Sequence, residues 1–567
     1  MDSSRSSSVA NPKAAAEELK LEGNKLQLSG QYEAANEAYS RAIELDPENA
    51  LLYANRSQSN LKLKKYIDAS SDARKALEIN PHFCKAWARL GTAQNAMMQY
   101  QASIEAWQNA LGSLPPDEAM YPSEKSLKQQ CEAGLKFALE EQAAKQHARN
   151  WQSFPDEAID GKKLPWDKAL AIKDRLLADK DNGMSSSAWV IMGAYREWSE
   201  AIRVINSTKR IETSNEPTWE GETTALTHLS NALLREPRIF HLSDREFLKK
   251  YDEQVIFETT KFDAWAEGGA DIVRREAPRR LEEQGWQNLR DALNTTIRAW
   301  VIAGFLASGG YNTSRAALEF YSQALDILQW GRTVWPEVPR EERGSVFDVT
   351  FIRGVRRLFL SALVEACVDN PGPNSEYDVN DLYVMARDHM GEIQANPIQN
   401  ADGLDPGFVS SFWVYPLAEA HSILGFVHFR KAMENVNKPE VAAPDFRKAS
   451  EWYIDAAGRY PVDDEKHIHF LVTAIQSLWH CGTKLEEFMP LAKRVRLAVP
   501  QAKEVWEFSQ LSDQLNPAVK RVLDFEEKYQ KGLDAGLVTM QDVIRVTKAP
   551  VRPTSNIFPD VCRRSDG

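Results

Sequence analysis

Three stretches of the 567-residue chain share one pattern and end in proline: residues 33–47 (EAANEAYSRAIELDP), 67–81 (IDASSDARKALEINP) and 101–115 (QASIEAWQNALGSLP). Their prolines, Pro47, Pro81 and Pro115, stand 34 residues apart, and alanine lies five positions before each. A proline stops a helix, and small residues let two helices approach closely. The period therefore predicts an array of helical pairs, in which each stretch supplies the second helix.

The residues upstream of each stretch have the pattern of the first helix of a pair. Gly23 and Gly91 occupy one register position, with Ser57 between them, and the position four residues earlier is large each time: Leu19, Tyr53 and Trp87. One helical pair cannot bury its apolar face alone, so neighbouring pairs stack into a solenoid with a concave groove. We predict an all-α solenoid of three repeats over residues 16–115, capped by an amphipathic helix over residues 123–147.

Polar side chains at equivalent places on the first helices are candidates for a binding site in the groove: Lys20, Asn24, Asn55, Lys85 and Arg89. Lys20 and Asn24 are four residues apart and share a helix face, as do Lys85 and Arg89. Three cations and two amides can then converge on one site. Such a site suits two neighbouring carboxylates, as a C-terminal aspartate presents, because the cations attract them and the amides orient them.

The repeats resemble those of tetratricopeptide (TPR) proteins, and the segments LKLEGNKL (19–26), YANRS (53–57) and KAWAR (85–89) resemble the dicarboxylate clamp of chaperone-binding members. The chaperone-organising (stress-inducible) and small glutamine-rich co-chaperones are similar in these segments. The resemblance implies that the five clamp residues hold the Glu-Glu-Val-Asp terminus of the cytosolic seventy- and ninety-kilodalton heat-shock chaperones. Lys62 stands where an additional cation is frequent, and Gln58 replaces a common alanine, which leaves the choice of chaperone open.

The amino-acid composition of the chain argues against several classes of function and location. Lys+Arg number 69 against 81 Asp+Glu, so the net charge of −12 argues against a nucleic-acid or anionic-membrane partner. Five cysteines without paired spacing do not form a disulfide framework. Residues 1–13 have no apolar core of a secretory signal, and no 18-residue uncharged apolar run occurs. These features predict a soluble, cytoplasmic protein.

The 34-residue register is lost from Trp151 onward, where helical patterns still dominate. We predict a disordered N-terminus over residues 1–12, the TPR domain with its capping helix over 13–150, and a linker over 151–184. An all-α domain over 185–545 and a disordered C-terminus over 546–567 follow. Residues 208–222, 371–375 and 394–407 have the polar, Gly- and Pro-containing composition of loops.

Two degenerate repeats indicate a TPR-like architecture for the second domain. The first consists of Trp300, Gly304, Ala317, Tyr321 and Ala324. The second consists of Gly425, Ala449, Tyr453, Ala456 and Pro461, with an insertion of about a dozen residues around 435–444 between its helices.

No catalytic motif is evident along the chain. The phosphate-binding loop, the HExxH zinc motif and the GxSxG elbow are all absent. We therefore predict a protein that is not an enzyme and has no cofactor or metal. The predicted function is that of a co-chaperone or adaptor that binds chaperone tails, with a client or second protein on the C-terminal helical domain. The alternatives are a TPR scaffold for an unrelated acidic C-terminus in trafficking or regulation, and an enzyme of unrecognised type in residues 151–567.

Overall fold

The computed structural model describes residues 12–97, 99–147, 158–159, 161–179, 183–212, 218–242, 246–266, 268–311, 314–370, 375–398 and 403–544. This part of the chain is all-α, as predicted. Its first seven helices are α1 (Pro12–Leu28), α2 (Tyr32–Leu45), α3 (Ala50–Lys62), α4 (Tyr66–Ile79), α5 (Cys84–Ala96), α6 (Tyr100–Gly112) and α7 (Pro122–His147). The predicted capping helix is thus confirmed as α7, while the predicted disordered termini lie almost wholly outside the described residues.

Helices continue through the rest of the chain: α8 (Pro165–Ala178), α9 (Ala188–Ser207), α10 (Ala225–Arg235), α11 (Phe247–Lys261), α12 (Ala270–Tyr311), α13 (Ser314–Val334), α14 (Arg340–Arg343), α15 (Val349–Asp369), α16 (Val379–Ala395), α17 (Pro406–Val409), α18 (Tyr415–Glu434), α19 (Pro439–Arg459), α20 (Glu465–Cys481), α21 (Leu485–Trp506) and α22 (Gln510–Asp534). Gly285, with φ 76°, interrupts α12, and a π-helical turn, Ser410–Val414, joins α17 to α18.

Two short antiparallel pairs accompany the helices: β1 (Lys209–Ile211) with β2 (Thr218–Glu220), and β3 (Thr483–Lys484) with β4 (Val543–Ile544). The prediction of a loop over residues 208–222 is therefore wrong in part. Ile211, Thr218 and Trp219 favour extended backbone, and Arg210 pairs with Trp219 across the ladder. The predicted loop 371–375 lies mostly outside the described residues.

Contact between a glycine and an aromatic ring sets the spacing of the helices within the repeats. A Cβ on Gly23 would lie 2.6 Å from Cε1 of Tyr39, and one on Gly91 would lie 2.7 Å from the indole of Trp107. Gly134 of α7 meets the same indole, with a distance of 2.5 Å from its Cβ position to Cε2. The capping helix therefore packs on α6 through a glycine, as the first helix of a fourth pair would.

The chain divides into two compact units, and the first joins segments that are distant in sequence. It contains residues 1–149, 262–296 and 306–338. In it, Asp68 of α4 accepts a hydrogen bond from the backbone N–H of Gly269 (2.9 Å), and Lys65 forms an ion pair of 3.0 Å with Asp271. Phe320 of α13 packs on an apolar cluster of the repeats: Tyr66, Ile67, Ala69, Ala93 and Met97. Residues outside the range 13–150 therefore contribute to the hydrophobic core of the TPR array.

The second unit contains residues 150–261, 297–305 and 339–567. Its centre holds buried, mutually paired charges. Arg238 forms ion pairs with Glu236 (2.8 Å), Asp464 (3.0 Å) and Glu465 (2.9 Å) and lies 3.7 Å from the ring centroid of Trp506. Nearby in the same unit, Glu419 accepts from both Arg357 and Lys466. Buried charges are tolerated when they are paired in this way, and removing one partner is costly.

The second degenerate repeat forms a helical hairpin of α18 and α19. A Cβ on Gly425 would lie 2.9 Å from the ring of Tyr453, which reproduces the glycine–aromatic contact of the N-terminal repeats. The predicted loop over residues 435–444 is shorter than expected, because α19 begins at Pro439 and includes Pro444. The inserted residues lengthen the helices of this hairpin instead of forming a longer loop. The residues of the first degenerate repeat lie on α12 and α13.

Part of the predicted linker is helical. Within residues 151–184, α8 buries Trp166, whose ring stacks on those of Tyr195 (5.4 Å between centroids) and His241 (4.6 Å). The domain boundaries given above stay a prediction. No helix in the described residues combines the length and the apolar character needed to cross a membrane.

The glycine contacts predict the effect of a single methyl group. Gly91→Ala should destabilise the first unit by about 1–3 kcal/mol, because the buried Trp107 ring cannot move away from the new Cβ. The matched change Gly112→Ala meets nothing within 4 Å and should be neutral or slightly stabilising. Denaturant unfolding of both variants measures the difference. Equal stabilities would show that the close approach is not required.

A second prediction concerns pH. Burial, reinforced by Asp271 and Asp72, raises the pKa of Asp68 to about 7, and burial raises that of Glu319 to about 8. The folded chain keeps these protons up to neutral pH, whereas the unfolded chain loses them near pH 4. The free energy of unfolding should therefore fall as pH rises from about 4 to 8. Asp68→Asn should reduce this pH-dependent loss of stability. The thermal midpoint of unfolding, measured as a function of pH, tests this, and Glu337→Gln at an exposed position is the control.

Candidate functional site

The first helices of the three pairs, α1, α3 and α5, carry the five predicted groove residues. Two of them are in direct contact, since Nδ2 of Asn55 donates to Oδ1 of Asn24 at 3.0 Å. This bond joins α1 to α3 and fixes the amide oxygen of Asn24. The second Nδ2–H of Asn55 and both Nδ2–H groups of Asn24 form no hydrogen bond with the described residues and are available to an acceptor in the groove.

Tyr39 supports this pair from α2. Its ring packs on Gly23, and its hydroxyl lies 2.8 Å from Oδ1 of Asn24 and 2.9 Å from Oε1 of Gln27. Burial raises the pKa of Tyr39 to about 12, against the opposing effect of the Arg89 charge. Tyr39 is therefore protonated at neutral pH and can donate to Asn24.

Arg89 has an unsatisfied buried donor. Its Nε donates to Oε1 of Gln58 at 3.2 Å, while its buried Nη1 has no hydrogen-bond partner among the described residues. Burial lowers the pKa of Arg89 to about 10, which still leaves it charged at neutral pH. A buried cation with an unpaired N–H carries an uncompensated desolvation penalty. An anion in the groove would remove that penalty.

The three lysines differ in exposure. Lys20 is half-buried, with 15% of its side chain exposed, and forms an ion pair of 2.7 Å with Glu17 one turn earlier. Lys85 and Lys62 are exposed, and neither has a hydrogen bond or ion pair with a described residue. Hence the structure joins Asn24 to Asn55 and Arg89 to Gln58 by hydrogen bonds, while no such bond links the lysines to them. The binding role of all seven residues stays a prediction.

Sequence reasoning overlooked three contributions to the groove. Tyr39 stands eight residues before Pro47 in the repeat pattern, and its hydroxyl also holds Asn24. The bonds of Gln27 to Tyr39 and of Gln58 to Arg89 were not anticipated either. The signal available in the sequence was the tyrosine itself. The same position carries alanine or tryptophan in the other repeats, and a buried tyrosine hydroxyl needs a hydrogen-bond partner.

The titratable groups around Arg238 in the second unit are paired with one another, whereas Nε of Arg430 in the same unit is buried without a hydrogen-bond partner among the described residues. Glu465, for example, accepts hydrogen bonds from Arg238 and Ser512. Within the described ranges, no three His, Cys, Asp or Glu side chains are grouped in a way that could hold a metal ion. The charges around Arg238 therefore have a structural explanation.

The family model described as "TPR repeat" matches residues 23–64. Over 107 residues, the chain is 39% identical to the small glutamine-rich tetratricopeptide repeat-containing protein 2 of Mycosarcoma maydis, covering 19% of this chain and 30% of that protein. It is 35% identical to the Hsp70-Hsp90 organizing protein of Triticum aestivum over 105 residues, 18% of each chain. The second TPR domain of human RPAP3, solved with an HSP70 peptide, is 30% identical, covers 23% of this chain and 98% of that domain, and has a TM-score of 0.20.

These similarities concern one segment. The chain spans less than a third of the length of the curated relatives named here. The serine/threonine-protein phosphatase 5 of Homo sapiens is also 34% identical over 103 residues, so similar repeats occur in proteins whose names describe different activities. The N-terminal segment of this chain is a tetratricopeptide-repeat array similar to those of the small glutamine-rich and Hsp70-Hsp90 organizing proteins.

Proposed function

We propose that this chain is a co-chaperone or chaperone adaptor whose TPR groove binds the acidic C-terminal tail of a cytosolic heat-shock chaperone. The tail would be of the Glu-Glu-Val-Asp type and the chaperone of the seventy- or ninety-kilodalton class. A cytoplasmic location belongs to the same proposal. The protein would act by binding this tail and would not catalyse a reaction on it.

The observation that carries the proposal is the unpaired buried N–H of Arg89 beside the Asn24–Asn55 pair. A carboxylate placed there would accept a charge-assisted hydrogen bond from a donor that otherwise has none. The gain is larger than for a solvated arginine, because the desolvation cost of Arg89 has already been met in folding. The groove thus favours an anion over a neutral ligand.

The residues around Arg89 explain why the anion would be a chain terminus. The two amides can donate to one carboxylate, and Arg89 with the lysines can pair with a second one nearby. A C-terminal aspartate carries two carboxylates a few bonds apart, whereas an internal aspartate carries one. Exposed Lys85 and Lys62 extend positive charge along the groove for further acidic residues.

The relatives support the same partner class. The Hsp70-Hsp90 organizing protein is named for two such chaperones, and the matched family model covers residues 23–64, which include Asn24 and Asn55. A client or a second protein would bind to the all-α remainder, residues 185–545. Affinity for the tail should be modest and salt-sensitive, because few groups are buried and the rim charges are exposed.

Binding of a peptide ending in Glu-Glu-Val-Asp to the full chain tests the proposal. Lys20→Ala and Arg89→Ala should each weaken binding about tenfold or more, since a hydrogen bond to a charged group contributes about 1.5–3 kcal/mol. Titration calorimetry or fluorescence anisotropy at two salt concentrations measures this. Amidation of the peptide C-terminus should abolish binding, because it removes one of the two carboxylates.

Lys25→Ala is the matched control. It removes the same charge from the same helix, but Lys25 is exposed and lies five residues from Lys20, on another face of α1. If Lys25→Ala weakens binding as much as Lys20→Ala, the attraction is a general charge effect. If amidation of the peptide C-terminus leaves its affinity unchanged, the proposal of a dicarboxylate clamp is wrong.

Affinity capture from a cell extract distinguishes the proposal from a scaffold that binds an unrelated acidic C-terminus. Wild type should retain seventy- or ninety-kilodalton chaperones, and Lys85→Ala should lose them while keeping partners of the second unit. Loss of a different set of proteins with the chaperones unaffected would favour the scaffold.

A further inference from the structure

The TPR groove of the first unit is supported by helices that come much later in the chain, in residues 262–296 and 306–338. Five buried residues form an apolar cluster on the repeats: Tyr66, Ile67, Ala69, Ala93 and Met97. Three partly buried side chains pack on this cluster: Leu61 of α3, Ala96 of α5 and Phe320 of α13. The C-terminal ends of α3 and α5 therefore meet α13 in one place.

The cluster lies one helical turn beyond two residues of the groove. Leu61 follows Gln58 by three residues on α3, and Ala93 follows Arg89 by four residues on α5, so each pair shares a helix face. One turn of α-helix rises about 5 Å. The hydrogen bond from Nε of Arg89 to Oε1 of Gln58 (3.2 Å) joins the same two helices. The spacing of α3 and α5 at the cluster therefore also sets how Arg89 is held.

Polar contacts fasten the later segment to α4. The backbone N–H of Gly269 donates to Asp68 at 2.9 Å, and Lys65 forms an ion pair of 3.0 Å with Asp271. A Cβ on Gly269 would lie 2.6 Å from Oδ2 of the buried Asp68 side chain, so a larger residue cannot be accommodated there without a shift. These contacts hold the start of α12 against α4.

Helix α4 is in turn fixed to α3 by a buried ion pair. Arg56, which follows Asn55 directly, donates to both carboxylate oxygens of Asp72, at 2.9 Å from Nε and 2.6 Å from Nη2. Nδ2 of Asn60 donates to the same carboxylate at 3.1 Å. Asp72 lies one turn after Asp68 on α4. The helix on which the later segment docks is thus tied to the helix that carries Asn55.

We propose that residues 262–296 and 306–338 brace the TPR groove, and that Phe320 is a positioning residue for binding of the chaperone tail. The inference rests on the proposed tail binding and adds that the groove needs a contact from a helix far later in the chain. The role of Phe320 is indirect, since it keeps α3 and α5 at the spacing in which Gln58 holds Arg89.

The affinity of the full chain for a peptide ending in Glu-Glu-Val-Asp, measured by fluorescence anisotropy, tests the brace. Phe320→Ala should weaken binding about three- to tenfold, because Arg89 is no longer held in one orientation. Phe320→Leu keeps an apolar contact with the cluster and should bind close to wild type. Gly269→Ala should weaken binding as Phe320→Ala does, because it disturbs the docking of the same segment at α4.

Two matched changes control for packing and for the glycine substitution. Phe525 is also partly buried, but it packs on Trp479 and Tyr529 in the second unit, so Phe525→Ala should leave the tail affinity unchanged. A Cβ on Gly112 meets nothing within 4 Å, so Gly112→Ala should also bind as wild type. The thermal midpoint of every variant is recorded, and binding is compared at a temperature at which all of them are folded.

A double-mutant cycle separates positioning of Arg89 from a general loss of stability. In the Arg89→Ala background, Phe320→Ala should have little further effect, because the residue through which Phe320 acts is gone. In the Lys20→Ala background its full effect should persist, because Lys20 lies on α1, which does not contribute to the cluster. A variant that merely unfolds part of the protein would lose affinity equally in both backgrounds.

Two results would overturn the brace: wild-type affinity in Phe320→Ala, or the same loss from Phe320→Ala with and without Arg89. If Phe320→Ala does not fold, Gly269→Ala carries the test, and wild-type affinity in that variant has the same meaning. Failure of the wild type to bind the peptide at all would instead contradict the proposed function itself, and this inference with it.

Discussion

The contact between a glycine and an aromatic ring is the constraint on which the groove depends. Because Gly23 has no Cβ, the Tyr39 ring can lie against α1, and only from that position does its hydroxyl reach Asn24. Asn24 in turn accepts from Asn55, so a packing requirement within one pair orients a polar side chain on the next. Trp107 between Gly91 and Gly134 sets the third pair and the capping helix in the same way.

Arg238 and Arg89 are buried cations with different kinds of partner. Around Arg238 every cation is matched by carboxylates of neighbouring helices, so the charges hold the helices together without needing a ligand. Arg89 has a neutral amide as its partner and a buried N–H left over. The buried N–H of Arg89 that has no partner among the described residues is the feature from which a ligand of the groove is proposed.

Local periodicity predicted the repeats because the residues that decide them lie within one 34-residue period. Gly91 and Trp107 belong to the same helical pair, and the contact between Gly425 and Tyr453 was recoverable for the same reason. The groove residues followed from the register, but the hydroxyl of Tyr39 did not, because its partners depend on side-chain direction. The hairpin at Arg210–Trp219 and the packing of Phe320 on the repeats were missed, since each depends on contacts that no short-range pattern encodes.

The packing of α4 against residues 262–338 has a consequence for the order of folding during synthesis. The repeats are complete once α7 has left the ribosome, yet Asp68 gains its bond to Gly269, and the cluster at Tyr66 and Ile67 gains its contact with Phe320, only when the chain has been made as far as α13. At about 5–20 residues per second, that interval lasts on the order of ten seconds. During this time the surface that later contacts Phe320 stays exposed to water, and the Asp68 carboxylate remains hydrated and ionised. Docking of the later helices removes that water and raises the pKa of Asp68 to about 7, so the last step in assembling the first unit is coupled to proton uptake below that pH.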